Sequence, residues 1–339
     1  MGDTSIEWTQ RPGTRGRSWN PTQGCQIISE GCRNCYAMKM ARRFAGPGGW
    51  AEGLVNTKTG KWTGETKFAE HKLAEPLSWR EPSTVFVDSM SDLYYGRTNE
   101  QIAAVYGVMA ACPQHTFIIL TKRPREALEW NRWTSGVSRS QTTYDCTWFN
   151  HLASKHGADG ESWLRHCRDT EDLHAPWPLP NVWLGVSVEN QAAADERIPL
   201  LLETRSALRF LSCEPLLGAV ELTRRGANWL RVSMRDEQLP EYDVNAIAWV
   251  IVGCESGPGM RPCATSWIHS LRDQCAAEHV PFFLKQAHPA TWVAGEAPPP
   301  VRRDVRDPVI SAGALSRLKP RGVITLPYLD GVQHAEFPR

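Results

Sequence analysis

The sequence predicts an α/β fold organised as a complete or partial (βα) barrel. Three observations carry that expectation. Short β-branched or apolar runs recur along the 339-residue chain, each followed by a polar or glycine-containing loop and then by a helix-like segment. The runs are apolar almost without interruption, as strands of a parallel sheet covered on both faces must be. Polar residues gather directly behind them, where the strand ends of such folds converge on one mouth.

Taken in chain order, a weak strand is expected around residues 18–23, just ahead of three closely spaced cysteines. Clear strands follow in TVFVDSM (84–90), TFIILTK (116–122), NVWLGVSVE (181–189), ALRFLSCEP (207–215), IAWVIVGCESG (247–257) and PFFLKQ (281–286), which makes about seven βα units. Helices are expected over 99–111, 190–204 and 265–279, where apolar residues recur at three- and four-residue spacing and Asn99, Asn190 or Thr265 can cap. Insertions interrupt the pattern at 126–180 and 219–246. The first holds Trp130, Trp133, Trp148, Trp163 and Trp177; these could stack on unpaired bases, but packing the insertion onto the barrel is the preferred reading. Residues 1–290 therefore read as the barrel. Residues 291–339 read as a proline-containing basic extension, with Arg302, Arg303, Arg306, Arg317, Lys319 and Arg321 against Asp304 and Asp307. That tail either touches phosphates or is simply solvated.

Composition excludes several classes. Hydrophobic residues make up 41% and charged residues 22%, ordinary values for a globular chain, and no apolar run approaches the roughly 18 residues of a membrane span. The N-terminal stretch MGDTSIEWTQRPGTRGR lacks the apolar core of a secretory signal. A cytoplasmic location with reduced cysteines is expected, and disulfides explain the ten cysteines poorly. A net charge of +1 gives no global attraction to polyanions.

Cys25, Cys32 and Cys35 lie within eleven residues, and the next cysteine is Cys112. A structural zinc site wants four ligands, usually as two close pairs, and would have to recruit a distant group such as Cys254, Cys263, His71 or His115. Three cysteines on one loop suit a 4Fe-4S cluster with three irons held by thiolates and the fourth open to an external ligand.

The segments WNPTQGC, SEGCRNCYA, VFVDSMSDL, LTKRP, NVWLGVSVENQ, RFLSCEPLLG, VIVGCESGPGMRP and VPFFLKQ, in this order between residues 4 and 290, resemble the three-Cys-motif proteins of bacteriophages and prophages. That family is regarded as an offshoot of the radical S-adenosylmethionine superfamily, near the spore photoproduct lyase group. The resemblance implies a barrel of the radical S-adenosylmethionine type, a 4Fe-4S cluster on Cys25, Cys32 and Cys35, and S-adenosylmethionine cleaved to a 5′-deoxyadenosyl radical. Here the spacing is C-x6-C-x2-C rather than C-x3-C-x2-C, and Asn34 stands where an aromatic usually precedes the third cysteine. It further implies cofactor contacts from Tyr36, Ser89, Ser91, Asp92, Lys122 (or Arg123), Ser187, Glu189, Asn190 and Glu214. Cys254 stands where the family often has glycine; it is either a buried packing substitution or, as the resemblance to photoproduct lyase implies, a hydrogen-atom donor to a product radical, with Tyr94, Tyr95 and Cys213 as comparable candidates for finishing the reaction. The implied substrate is a nucleobase in DNA, such as a hypermodified thymidine, with an electron donor of the flavodoxin or ferredoxin kind. Alternatives are a DNA photolesion lyase and a non-catalytic zinc or iron-sulfur nucleic-acid-binding module.

Overall fold

The computed structural model describes residues 2–137, 143–145, 174–224, 226–231, 246–257, 259–288, 324–325, 328–330 and 332–338. Seven parallel strands run in sequence order across one curled sheet: β1 (Arg15–Trp19), β2 (Ser83–Val87), β3 (Thr116–Thr121), β4 (Val182–Ser187), β5 (Leu208–Cys213), β6 (Ile247–Gly253) and β7 (Phe282–Ala287). A short β8 (Ile324–Thr325) pairs antiparallel with β7 at the edge. The result is a half-barrel flanked by α1 (Tyr36–Arg42), α2 (Asn99–Ala110), α3 (Pro124–Val137), α4 (Gln191–Glu203) and α5 (Thr265–Ala277). Both β2 and β4 are buried along their whole length, which accounts for their continuous apolar sequence.

Strand geometry sends successive side chains to opposite faces, and two cores result. Val85, Val87, Phe117, Ile119, Leu184, Val186, Leu211, Val250, Val252 and Leu284 face outward and pack with Ile102, Val105, Met109, Ile198, Leu201, Ile268 and Leu271 of the helices. The intervening residues Phe86, Ile118, Trp183, Phe210, Trp249, Ile251 and Phe283 face inward and, with Trp8, fill the floor of the half-barrel. They lie side by side in the ladder: Phe86 is level with Ile118, Ile118 with Trp183, and Phe210 with Trp249. The strand residue opposite Phe210 on β4 is Gly185. A Cβ there would stand 2.4 Å from the Phe210 ring, so the aromatic layer dictates the glycine.

Three details differ from the sequence reading. Thr98, not Asn99, caps α2, through a capping box with Gln101; Asn190 does cap α4, while α5 starts after Ala264 with no side-chain cap from Thr265. Strand one sits at residues 15–19, earlier than expected, and Thr22–Gln23 forms a separate two-residue pair with Lys67–Phe68. The barrel does not end at residue 290, because the chain's last described residues close its floor. Trp249 Nε1 donates to the Glu336 carbonyl at 2.8 Å, and the Phe337 ring lies 5.7 Å from Trp249.

Within the first insertion Trp130 and Trp177 are buried against Tyr106 and each other, and Trp133 packs on the same core. Packing is thus the role of these three; Trp148 and Trp163, like the basic residues 302–321, lie outside the described residues. No described helix is long and apolar enough to cross a membrane.

Overpacking a filled core costs about 1–3 kcal/mol. Gly185→Ala should lower the unfolding free energy from denaturant melts by that amount, and Phe210→Leu in the same chain should recover part of the loss through direct coupling. Strict additivity of the two substitutions would contradict the packing described.

Candidate functional site

At the carboxyl end of the sheet lies a cavity of about 460 Å³, within the range of small-molecule and cofactor sites. Cys25, Cys32 and Cys35 line it together with groups from the ends of all six following strands: Asp88 to Asp92, Leu120 to Arg123, Ser187, Ser212 with Glu214 and Pro215, Cys254 to Ser256, and Lys285 with Gln286. The polar strand ends read from the sequence therefore converge. The aromatic floor blocks the opposite end, since Trp8 and Phe86 appear as the cavity's base.

The cysteine loop leaves β1, passes Gly24 in the left-handed region (φ 86), makes a short turn at Glu30–Cys32 and enters α1. At least five side-chain tethers hold it. Ser91 Oγ donates to the Gly24 carbonyl at 2.6 Å, and Tyr36 Oη to the Ser89 carbonyl at 2.6 Å. Ser29 Oγ donates to Glu189 Oε1 at 2.7 Å, and Gly31 lies so close to the Glu189 side chain that a Cβ would fall 2.5 Å from it. Asn34 Nδ2 donates to Glu255 Oε2 at 3.0 Å and to the Gly259 carbonyl at 3.1 Å. Arg261 bridges Glu255 to Glu30, reaching the Glu30 carbonyl at 2.8 Å. Glu255 was not singled out from the sequence, and Asn34 was noted only for the aromatic it replaces; a hydrogen bond between side chains 221 residues apart leaves no periodic signal.

Glu189 is 2% exposed and pairs with both Lys122 Nζ and Arg197 Nη1, the latter at 2.8 Å. Burial opposes its ionisation, yet the two cations outweigh burial and hold the carboxyl below its ordinary range. Instead of lining the cavity it stands behind the cysteine loop. Asn190 is likewise occupied, its side chain accepting from the Ala193 amide as the α4 cap. Asp92 lines the cavity, but its oxygens accept from Thr121 Oγ1 and the Lys122 and Tyr94 amides. Tyr95 points elsewhere, donating to the Gly64 carbonyl at 2.9 Å beneath the Arg123 guanidinium. Tyr94 is buried with its hydroxyl 2.8 Å from that of Tyr106. Cys213 sits in the outward-facing core with no exposure. Neither Tyr95 nor Cys213 reaches the cavity.

Tyr36, Ser89, Ser91, Lys122, Ser187, Glu214 and Cys254 do line it. Glu214 pairs with Lys285 at 3.0 Å and accepts from Ser212 Oγ at 3.3 Å. Burial, then neighbouring Cys263 and Glu214, push the Cys254 thiol upward, so it stays protonated. Burial also raises Cys25, to about 12, with Asp92, Cys35 and Cys32 adding to it, and raises Cys35 against the opposing backbone N–H groups of Met38 and Ala37. Burial therefore disfavours the thiolate form of Cys25 and of Cys35, and that form needs positive charge brought to the site.

Among the described residues no group of three or more His, Cys, Asp and Glu side chains is placed to hold a metal ion. Of the distant zinc ligands considered from sequence, only Cys254 lines the cavity. Cys25, Cys32 and Cys35 all line the one cavity, and cysteine thiolates are the donors that an iron-sulfur cluster takes.

The sequence profile of a family described as "Protein of unknown function (DUF5131)" matches residues 3–338. The chain belongs to the DUF5131 family. No curated protein and no solved structure matches it significantly. The DUF5131 match runs through residues 335–337, in keeping with their place against the barrel floor.

One strand-end residue has spare capacity. Asp88 is 3% exposed, adopts φ 58, lines the cavity, and uses Oδ1 to accept the Thr22 amide at 2.9 Å. Its Oδ2 has no hydrogen-bond partner. Burial, opposed by the Thr22 hydrogen bonds, raises its pKa to about 7. For an acid raised in the folded state the unfolded chain ionises first, so stability falls as pH climbs from about 4 to 7. Asp88→Asn keeps the left-handed tolerance. It should flatten that slope in denaturant melts and raise the unfolding free energy above pH 7 by up to about 4 kcal/mol. An unchanged slope would mean that Asp88 ionises freely in the fold.

Proposed function

We propose that this chain is a radical S-adenosylmethionine enzyme that modifies or rearranges a nucleobase, of the hypermodified-thymidine kind, in phage DNA. The carrying observation is that Cys25, Cys32 and Cys35 share one cavity with polar groups from the ends of six parallel strands. Cys25, Cys32 and Cys35 would hold a 4Fe-4S cluster. When bound, the cluster supplies the electron that cleaves the sulfonium of S-adenosylmethionine to a 5′-deoxyadenosyl radical, which abstracts an unactivated hydrogen.

The chain's own residues divide into holders and binders. Glu189, Glu255, Ser91 and Asn34 hold the cysteine loop in place. With Asp92 saturated by Thr121, Lys122 and Tyr94, the free Asp88 oxygen is the better partner for a cofactor ammonium. Ser187, Ser212 and Glu214 are left for hydroxyl groups, and Lys285 balances Glu214 until a ligand competes for it. Cys254, inside the cavity and kept protonated by burial, has an S–H bond available to return a hydrogen atom to a product radical. The Trp8 and Phe86 floor excludes water from below.

Anaerobic reconstitution should give about four iron and four sulfide per chain, lost in Cys25→Ala, Cys32→Ala and Cys35→Ala alike. Reduction with S-adenosylmethionine should then release 5′-deoxyadenosine. Parallel incubation with thymidine-modified and with ultraviolet-irradiated DNA separates base modification from photolesion cleavage. Stoichiometric zinc without iron, or no 5′-deoxyadenosine, would overturn the proposal.

A further inference from the structure

Six large hydrophobic side chains stand exposed among the described residues, and five of them, Ile27, Ile28, Tyr36, Met40 and Phe44, fall on the cysteine loop, α1 and the turn that follows it. Tyr36, Met40 and Phe44 follow at four-residue intervals, so they share one face of the helical segment. The opposite stripe, Ala37, Met38, Ala41 and Ala45, is buried. Helices of globular domains turn their apolar face inward; here a second apolar face looks out. It is bordered by cations. Residues 33–63 contain Arg33, Lys39, Arg42, Arg43, Lys58 and Lys61 against Glu52 alone, and none of the six is ion-paired to a described residue. Phe44 lies against Trp50 at 6.1 Å.

This face runs into the cavity. Ile28, Tyr36 and Trp62 line the cavity as well as its rim, and the Lys39 ammonium reaches the loop after β6, with a Cβ on Gly257 lying 3.5 Å from its Nζ. Whatever occupies the cavity and extends beyond it must pass over this basic, aromatic-bearing surface. We infer that the exposed face of residues 27–63 is the track on which an unpaired polynucleotide strand lies while one of its bases enters the cavity. Aromatic rings serve as stacking platforms for flanking bases and the surrounding cations meet the phosphates, the combination that single-strand binding uses. An acidic electron-transfer protein would also suit the charge, but seated here it would cover the entrance through which the substrate must pass. The inference rests on the nucleobase reading above and narrows its substrate from any nucleoside to a base within a strand.

The test uses the full-length, anaerobically reconstituted protein and a fluorescein-labelled thymidine 12-mer, read by anisotropy, with its duplex and free thymidine as competitors. The labelled strand should bind, with log affinity falling against log salt at a slope of about −3 for four phosphate contacts at roughly 0.7 each. Unlabelled duplex and free thymidine should compete weakly. The triple variant K39E/R42E/R43E should weaken binding at least tenfold and flatten the slope, and Met40→Ala with Phe44→Ala should weaken it severalfold at unchanged slope. Circular dichroism and iron content should match the parent for both. No strand binding, equal binding by the charge-reversed variant, or patch-dependent binding of an acidic flavodoxin in place of the strand would overturn the inference. Its failure is separable from failure of the radical reading. Iron and 5′-deoxyadenosine without strand binding remove the track alone, whereas patch-dependent binding by a chain that takes up no iron removes the cluster alone.

Discussion

The buried carboxylate of Glu189 is the constraint on which the mouth of the half-barrel depends. It joins three pieces of chain that are remote in sequence: Ser29 and Gly31 of the cysteine loop, Lys122 at the end of β3, and Arg197 of α4. An ionised group taken out of water is tolerable only when its charge and lone pairs are met, and here two cations and a hydroxyl meet them. Removing one partner of such a set commonly costs about 3–5 kcal/mol, which is a large part of a domain's net stability. The loop that presents the thiols is therefore fixed by electrostatics that only the complete fold supplies. Glu255 repeats the device on the other flank, gripping Asn34 and Arg261.

This division explains why the cavity holds both committed and uncommitted polar groups. Glu189, Glu255 and Asp92 are consumed in holding backbone and loops, while at the cavity Asp88 keeps an unpartnered oxygen and, among the described residues, Glu214 and Lys285 pair only with each other and Ser212. The first set lets a small number of loosely structured residues, 20–35, stand at a defined distance from six strand ends. The second is what a ligand would meet.

Much of this architecture was legible in sequence because it follows from burial. Strands covered on both faces must be apolar throughout, and VFV, FIIL, VWLGV and WVIV are. Polar residues behind them had to lie at one end of the sheet, and they line the cavity. What residue type could not convey is whether a side chain's bonding capacity is already used. Asp92 looks like a ligand until Thr121 and two amides occupy it, and Asn190 until it caps α4. Cys213 could have been set aside by alternation alone, since its neighbour Ser212 faces the cavity and strand neighbours face opposite ways. Asp88 was legible only as one more polar residue at a strand end, because a left-handed aspartate with an orphan oxygen has no sequence signature. The closing of the floor by Phe337 was equally hidden, for it lies far beyond a proline-rich stretch that looks like a linker.

The most direct test of the account is Mössbauer spectroscopy of the 57Fe-loaded chain before and after S-adenosylmethionine is added. Three corners anchored by Cys25, Cys32 and Cys35 predict four irons of which one alone changes its isomer shift when the sulfonium compound arrives. Four equivalent irons indifferent to that compound, or a spectrum with no cubane signal at all, would contradict it.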